Sequence, residues 1–286
     1  MRLAVLMLST QKPVNLGVWH EWMDSGVELF VNCKDLAVDF SDHPWVHPLD
    51  NPVIDTAWGT ESLVRALRQL VHEARDGCDP DWFLFVSGDT VPLWGLARLR
   101  KRLATLDAEA LMHPLPLEGL ADSAPIHEAE TFCRLIEVDG HADTWFEKHA
   151  EVLEDDDGYD CLWINPKWMR SCNQFMILGK SPARALEAMP DKVGRDYDAV
   201  ALRYIREKKF VPSDVLLPHT YLALTRKSTD WVEYGDVMHV DPTPDGFSAS
   251  LLDRIPTESR SIFSRKHSEH PDEERETLRR MWTKDS

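Results

Sequence analysis

Along this chain the apolar residues follow two rhythms. Short unbroken runs at Leu3–Leu8, Val27–Val31 and Trp82–Val86 are bounded by polar and turn-forming residues, the pattern of strands buried on both faces. Between them the spacing becomes helical, first over residues 18–23 and then through Leu63, Val64, Leu67, Leu70 and Val71, with Gly77 as the expected stop. A basic amphipathic helix is expected over residues 96–106. Alternating strands and helices predict an α/β fold with a largely parallel sheet and crossover helices, in which ligands bind beyond the carboxyl ends of the strands.

Residues 112–160 lose this regularity and are rich in His, Pro and acids, including Glu151-Val152-Leu153-Glu154-Asp155-Asp156-Asp157. Such a run reads as a solvated acidic loop, although long ordered excursions of this kind also carry binding residues. Order returns with a strand at residues 173–178, a helix at 182–189 and a helical segment at 196–208. A strand-like run follows at His219–Leu224, then a short strand at residues 262–264 and a charged surface helix within 270–286. No internal repeat is present.

Of 286 residues, 43% are hydrophobic and 28% charged, the composition of a folded globular chain. The 32 Lys and Arg against 49 Asp and Glu give a formal charge of −17. With no local basic patch, this argues against nucleic-acid partners and anionic lipid surfaces. The opening apolar run is too short for a signal peptide or a transmembrane segment. Five scattered cysteines without a Cys-x-x-Cys pair fit neither a zinc site nor a disulfide framework, so a reducing, cytoplasmic setting is expected.

Four places could carry chemistry. Ser87-Gly88-Asp89 puts a carboxylate at the end of a buried strand, where it is either a ligand contact or an ordinary turn residue. Asp196-Tyr197-Asp198 sets two acids in what reads as the first turn of a helix, as a dipole partner or as a metal-holding Asp-x-Asp pair. Trp231, with Glu233 and Tyr234, is either a sugar-stacking face with hydroxyl acceptors or core. The paired cations Arg265-Lys266 end a short strand and either neutralise a diphosphate or lie in solvent.

Taken in order, these segments resemble the core-2/I-branching family of glycosyltransferases, in its plant and microbial branch. Ala57-Trp58-Gly59-Thr60-Glu61-Ser62-Leu63-Val64 resembles that family's "WGxxSLV" helix, and Trp82–Leu93 its "YFxLLSGxDxPL" strand and turn, the most specific match. Val31-Asn32-Cys33-Lys34 stands at its "HVDxK" segment, and Asn173–Leu178 resembles its "SQWFxLxR" strand. Asp196-Tyr197-Asp198 falls at "PDE", Trp231–Asp236 at "YVDWSxG", and Phe263-Ser264-Arg265-Lys266 at "FARK".

The resemblance implies a GT-A-type (Rossmann-like) fold over residues 1–270, with a nucleotide-binding half at 1–110, an acceptor and catalytic half at 111–270, and a charged tail at 271–286. It implies an inverting transfer of a sugar of N-acetylglucosamine or xylose type from a UDP-sugar donor to a hydroxyl of a glycan or glycolipid acceptor. No cofactor or metal is required on this view. The implied base is Asp198, where the family has Glu, with Asp196 as fallback. Ser9, Thr10, Asn32, Gly59, Thr60 and Asp89 are the implied nucleotide contacts, and Lys266 the implied cation at the diphosphate. An upstream family Arg has Arg254, Arg260 and Arg265 as its candidates. Trp231 and Glu233 would face the acceptor. Two alternatives stay open: a catalytically silent sugar- or nucleotide-binding protein of the same fold, and a transferase that holds Mn²⁺ on Asp89 or on the Asp196/Asp198 pair. A bacterial or viral enzyme of surface-polysaccharide biosynthesis would fit, acting in the bacterial or host cytoplasm.

Overall fold

Every residue from Leu3 to Met7 is fully buried, which places this first apolar run at the centre of a sheet with a layer of structure on each face. A computed structural model describes residues 1–49, 53–114, 136–137, 151–154, 160–163, 172–206, 213–240, 260–265 and 272–283. In chain order the strands and helices are β1 (Leu3–Ser9), α1 (Leu16–Trp22), β2 (Val27–Cys33), β3 (Val46–Pro48), α2 (Glu61–Cys78), β4 (Trp82–Ser87), β5 (Val91–Pro92), α3 (Leu96–Ala104) and β6 (Ala110–Pro114). Next come β7 (Ile136–Glu137), β8 (Glu151–Glu154), β9 (Asp160–Trp163), β10 (Cys172–Gly179), α4 (Lys180–Glu187), α5 (Asp191–Arg206) and α6 (Ser213–Arg226). The last are β11 (Val232–Tyr234), β12 (Met238–Val240), β13 (Phe263–Arg265) and α7 (Asp272–Thr283).

Among the described residues the main sheet has seven strands in the order β11-β6-β10-β4-β1-β2-β3. The pairs β1–β2, β1–β4, β2–β3 and β6–β11 are parallel, and β10 runs against both of its neighbours. The fold is thus α/β with a mixed, largely parallel sheet flanked by helices, as expected. Because β10 reverses direction between two strands, β6 and β11 point the same way as β1 and β4. The carboxyl ends of β1, β2, β4, β6 and β11 therefore share one edge. Alternation along the strands sorts the core: Ala4, Leu6, Phe83 and Phe85 pack with α2, α4, α5 and α6, whereas Val5, Met7, Leu84 and Val86 pack with α1 and α3. Two three-stranded sheets, β12-β13-β5 and β7-β9-β8, complete the topology.

Four local expectations are corrected. Gly77 does not stop α2; the helix runs to Cys78 and ends at Asp79, whose φ of 41° supplies the left-handed cap. Gly77 is small for another reason, since a Cβ there would stand 3.3 Å from the Phe30 ring. The strand-like run His219–Leu224 is part of α6, because every residue of it is buried and an apolar run without a polar face carries no periodicity. Asp196 and Asp198 lie beyond the first turn of α5, which starts at Asp191 just after Pro190. The acidic run opens as a strand, Glu151–Glu154, paired with β9.

The C-terminal stretch forms α7 and presents both a wet and a dry side. Leu278 is fully buried against Val18, Val91 and Leu93, and the Trp282 indole N–H donates to the Pro92 carbonyl at 3.0 Å. Gly95 makes room for this docking, since a Cβ there would lie 2.4 Å from the Trp282 carbonyl oxygen. Arg279 meets Glu21 of α1 through a bidentate pair at 2.9 and 2.8 Å. No helix of the described residues is long and apolar enough to cross a membrane.

Candidate functional site

From β1 the chain proceeds to β2 and β3 on one side and returns to β4 on the other, so the strand order reverses between β1 and β4. A crevice outside the carboxyl ends of two such strands is the usual ligand seat of an open α/β sheet. A cleft of about 280 Å³ lies there, with Ser9, Thr10, Lys12, Gly88, Asp89 and Arg265 among its lining residues. Its floor is tight: a Cβ on Gly88 would stand 2.3 Å from Ser9 Oγ and 2.9 Å from Ser9 Cβ. The Gly88 N–H donates to the Leu8 carbonyl at 2.9 Å, so only a glycine lets the two strand ends meet this closely.

Asp89 projects from that floor. Its Oδ1 accepts the Ser87 hydroxyl, and its Oδ2 lies 3.6 Å from an Arg265 guanidinium nitrogen. The guanidinium sits 5.0 Å from the centre of the Phe175 ring, and its Nε is buried with no hydrogen-bond partner. Arg265 arrives from the distant end of the chain because β13 pairs with β5, Phe263 opposite Pro92 and Ser264 opposite Val91. The β2 exit is tied down beside the cleft by Lys34 N–H to the Ser9 carbonyl at 3.0 Å and Asp35 N–H to the Thr10 carbonyl at 3.2 Å. Lys12, which the sequence did not single out, adds a second cation to the lining and donates to the Asp39 carbonyl at 3.3 Å.

Ser9, Thr10, Asp89 and Arg265 are thus brought together. Asn32, Gly59 and Thr60 are not part of this lining. Asn32 is 1% exposed, its amide donating to the Ile54 carbonyl at 3.4 Å. Gly59, with φ 76°, and Thr60, whose hydroxyl reaches the Ala57 carbonyl at 2.9 Å, build the turn into α2. Both carboxylate oxygens of Asp198 lie 2.9 Å from the Glu61 backbone nitrogen, so Asp198 covers the first donor of α2. Burial pushes the Glu61 carboxyl above its ordinary pKa; Arg65 opposes the shift, and the charges of Asp198 and Asp191 add to it. Asp196 is half-buried one turn into α5.

Trp231 is 5% exposed, its indole N–H donating to the Ser228 carbonyl at 2.7 Å and its ring lying against His219 and the Arg226 guanidinium. It is packed as a core residue. Glu233 is engaged by Arg102. Arg260 is exposed, and Lys266 and Arg254 lie outside the described residues. His113, at the end of β6, also escaped the sequence analysis. Burial lowers its pKa below the ordinary 6.5, while Asp236 pulls it back up. The available signal was a His-Pro pair closing an apolar run.

Asp89 is the only carboxylate among the described residues that line the cleft. One carboxylate oxygen takes the Ser87 hydroxyl and the other faces a guanidinium, so a metal ion there would stand against an existing positive charge. Asp198 is likewise committed to the α2 backbone. Among the described residues no group of three or more His, Cys, Asp or Glu side chains could hold a metal.

No family model and no curated protein sequence matches this chain. Among solved structures it is similar to the bifunctional glycosyltransferase WbbM, at 10% identity and a TM-score of 0.39 over 94% of this chain and 46% of that one. It thus spans less than half the length of WbbM. Mouse xyloside xylosyltransferase 1 aligns at 9% identity and a TM-score of 0.44, covering 94% of this chain and 99% of the other. The 4-diphosphocytidyl-2C-methyl-D-erythritol synthase of Anaerococcus prevotii aligns at 10% identity and a TM-score of 0.35, with 82% and 86% covered. At such distances no activity is carried over.

Proposed function

We propose that this chain is an inverting, metal-independent glycosyltransferase of GT-A type that moves a sugar from a UDP-sugar to a hydroxyl of a glycan or glycolipid in the cytoplasm. The observation that carries the reading is the cleft at the β1/β4 switch point, where Arg265 and Lys12 set two cations around the single carboxylate of Asp89. A diphosphate seated there meets the guanidinium face and the hydroxyls of Ser9 and Thr10. As the sugar departs, negative charge grows on the leaving phosphate oxygen, and a fixed guanidinium in a half-buried site stabilises that charge without reorganising. Arg265 is pre-set for the task, since Asp89 and Phe175 hold it in place before the ligand arrives. Lys266 and the donor-sugar preference for N-acetylglucosamine or xylose remain part of the proposal through the family resemblance.

Calorimetric titration with UDP, UDP-N-acetylglucosamine and UDP-xylose in chelator tests the reading. Binding without metal is expected, weakened by Arg265→Ala about 10–100-fold, the worth of one charge-assisted contact of about 1.5–3 kcal/mol. No binding of any nucleotide under these conditions, or binding indifferent to Arg265→Ala, refutes it. Binding with no release of UDP on any acceptor would favour the catalytically silent alternative.

A further inference from the structure

An inverting transfer needs a base on the acceptor side, and both oxygens of Asp198 already cover the start of α2. Another group stands on the opposite face of the sheet. β10 lies between β4 and β6, and its ladder to β6 passes from Met176↔Met112 through an irregular stretch to Cys172↔Pro114, so His113 lies on the ligand-edge side of Met112 and Phe175 falls in the irregular stretch of β10. His113 alternates with Met112 and so shares the sheet face of Leu111, Phe175 and Phe263. Arg265 lies over the Phe175 ring, 5.0 Å from its centre. Asp89, Arg265 and Phe175 follow one another by contact, and His113 stands at the same edge at the end of β6.

Asp236 flanks the ring. β11 pairs with β6 through Tyr234↔Met112, and the Gly235 N–H donates to the Met112 carbonyl at 2.9 Å, which brings Asp236 to the same edge. His113 Nδ1 is buried with no hydrogen-bond partner among the described residues.

We propose that His113, flanked by Asp236, is the general base that takes the acceptor proton, and that Asp198 serves as the cap of α2. The inference rests on the glycosyl-transfer reading. In the step, an acceptor oxygen lone pair forms the bond to the sugar C1 while the hydroxyl proton passes to the His113 imidazole. The C1–O bond to the diphosphate breaks, and its electron pair stays on the phosphate oxygen near Arg265. The imidazolium, opposed by the Asp236 carboxylate, returns its proton to solvent.

Among the described residues the charged group that acts on His113 is Asp236 beyond β11; β10 contributes the neutral Gln174. Burial keeps the ring neutral at pH 7, so the rate should rise with pH through a limb below 6.5. The test is transfer or donor hydrolysis with the UDP-sugar that binds best, from about pH 5 to 9, alongside donor titration of each variant. His113→Gln is expected to lower kcat about 10²–10⁴-fold and flatten the limb with donor affinity retained. His113→Ala should regain rate with added imidazole, and Asp198→Asn should keep the wild-type limb. A limb in the carboxylate range that moves with Asp198→Asn, or full turnover in His113→Gln, overturns the assignment. Absence of any nucleotide binding overturns the glycosyl-transfer reading itself, and this inference falls with it.

Discussion

Replacing Asp198 with alanine separates a structural carboxylate from a chemical one. Its two oxygens, each 2.9 Å from the Glu61 nitrogen, are removed. Thr60, in the N-cap position, makes no side-chain cap to take over, because its hydroxyl is turned to Ala57. The 18-residue helix α2 then loses its cap, worth about 0.5–2 kcal/mol, and a negative charge at its positive end, worth about 0.3–1 kcal/mol. Part of this is returned, since Glu61 no longer shares its half-buried surroundings with a second carboxylate. The net expectation is a loss of about 1 kcal/mol, seen as a fall of about 2 °C in the unfolding midpoint for a chain of this size. Asp198→Asn keeps an acceptor oxygen and should lose less. Thermal and urea unfolding at pH 7 and low salt measure both. A wild-type midpoint in Asp198→Ala, or equal damage from Asn and Ala, refutes the capping argument.

Gly88→Ala drives a methyl group against Ser9, and because the Ser9 Cβ is fixed to its strand the overlap cannot be relieved by rotating the hydroxyl alone. Urea unfolding should show a loss of about 1–3 kcal/mol, partly restored by pairing the change with Ser9→Gly; no loss would mean that the β1 and β4 ends can part freely. Acid should weaken the fold in two stages. The Asp24 carboxyl is held down by hydrogen bonds from Arg100, Asp79 by Lys180, and Asp191 by Arg68, so their contribution is complete above the ordinary 3.8 and is lost as pH falls through the depressed folded values. His113 is depressed by burial, so protons favour the unfolded chain and stability begins to decline as pH drops below 6.5. His43 is depressed by burial in the same way, so the early stage should shrink in the pH-dependent urea midpoints of His113→Gln and vanish only when His43 is replaced as well; an early stage unchanged in His113→Gln would exclude His113 as a contributor.

The alternation of β1, α1, β2, α2 and β4 could be read from the sequence because strands buried on both faces appear as unbroken apolar runs flanked by polar turns. The direction of β10 could not, since a short apolar run such as Phe175–Leu178 is the same pattern whichever way it runs. The fully buried α6 hid its helical period for a related reason. In the cleft, Ser9, Thr10 and Asp89 were accessible to inspection because each sits where a recognised strand ends, and Arg265 because it closes a short apolar strand. Lys12 and His113 were missed because their significance comes from neighbours supplied by other elements, Asp89 and Arg265 for the first and Asp236 for the second. Asp198 shows the reverse. Its motif position suggested chemistry, and only the packing of α5 beside the start of α2 reveals the backbone donor it covers.

The pairing of β13 with β5 also sets the order in which this molecule can be finished. Pro92 leaves the ribosome about 170 residues before its partner Phe263, an interval of roughly 10–30 s at ordinary elongation rates. Until then β5 waits as an unpaired edge, and Val18, Val91 and Leu93 await Leu278. The nascent chain can assemble β1, β2 and β4, yet it lacks Arg265, the guanidinium of the proposed diphosphate seat. On the proposed function, nucleotide can stabilise only the finished chain, because the guanidinium that would bind it arrives with β13.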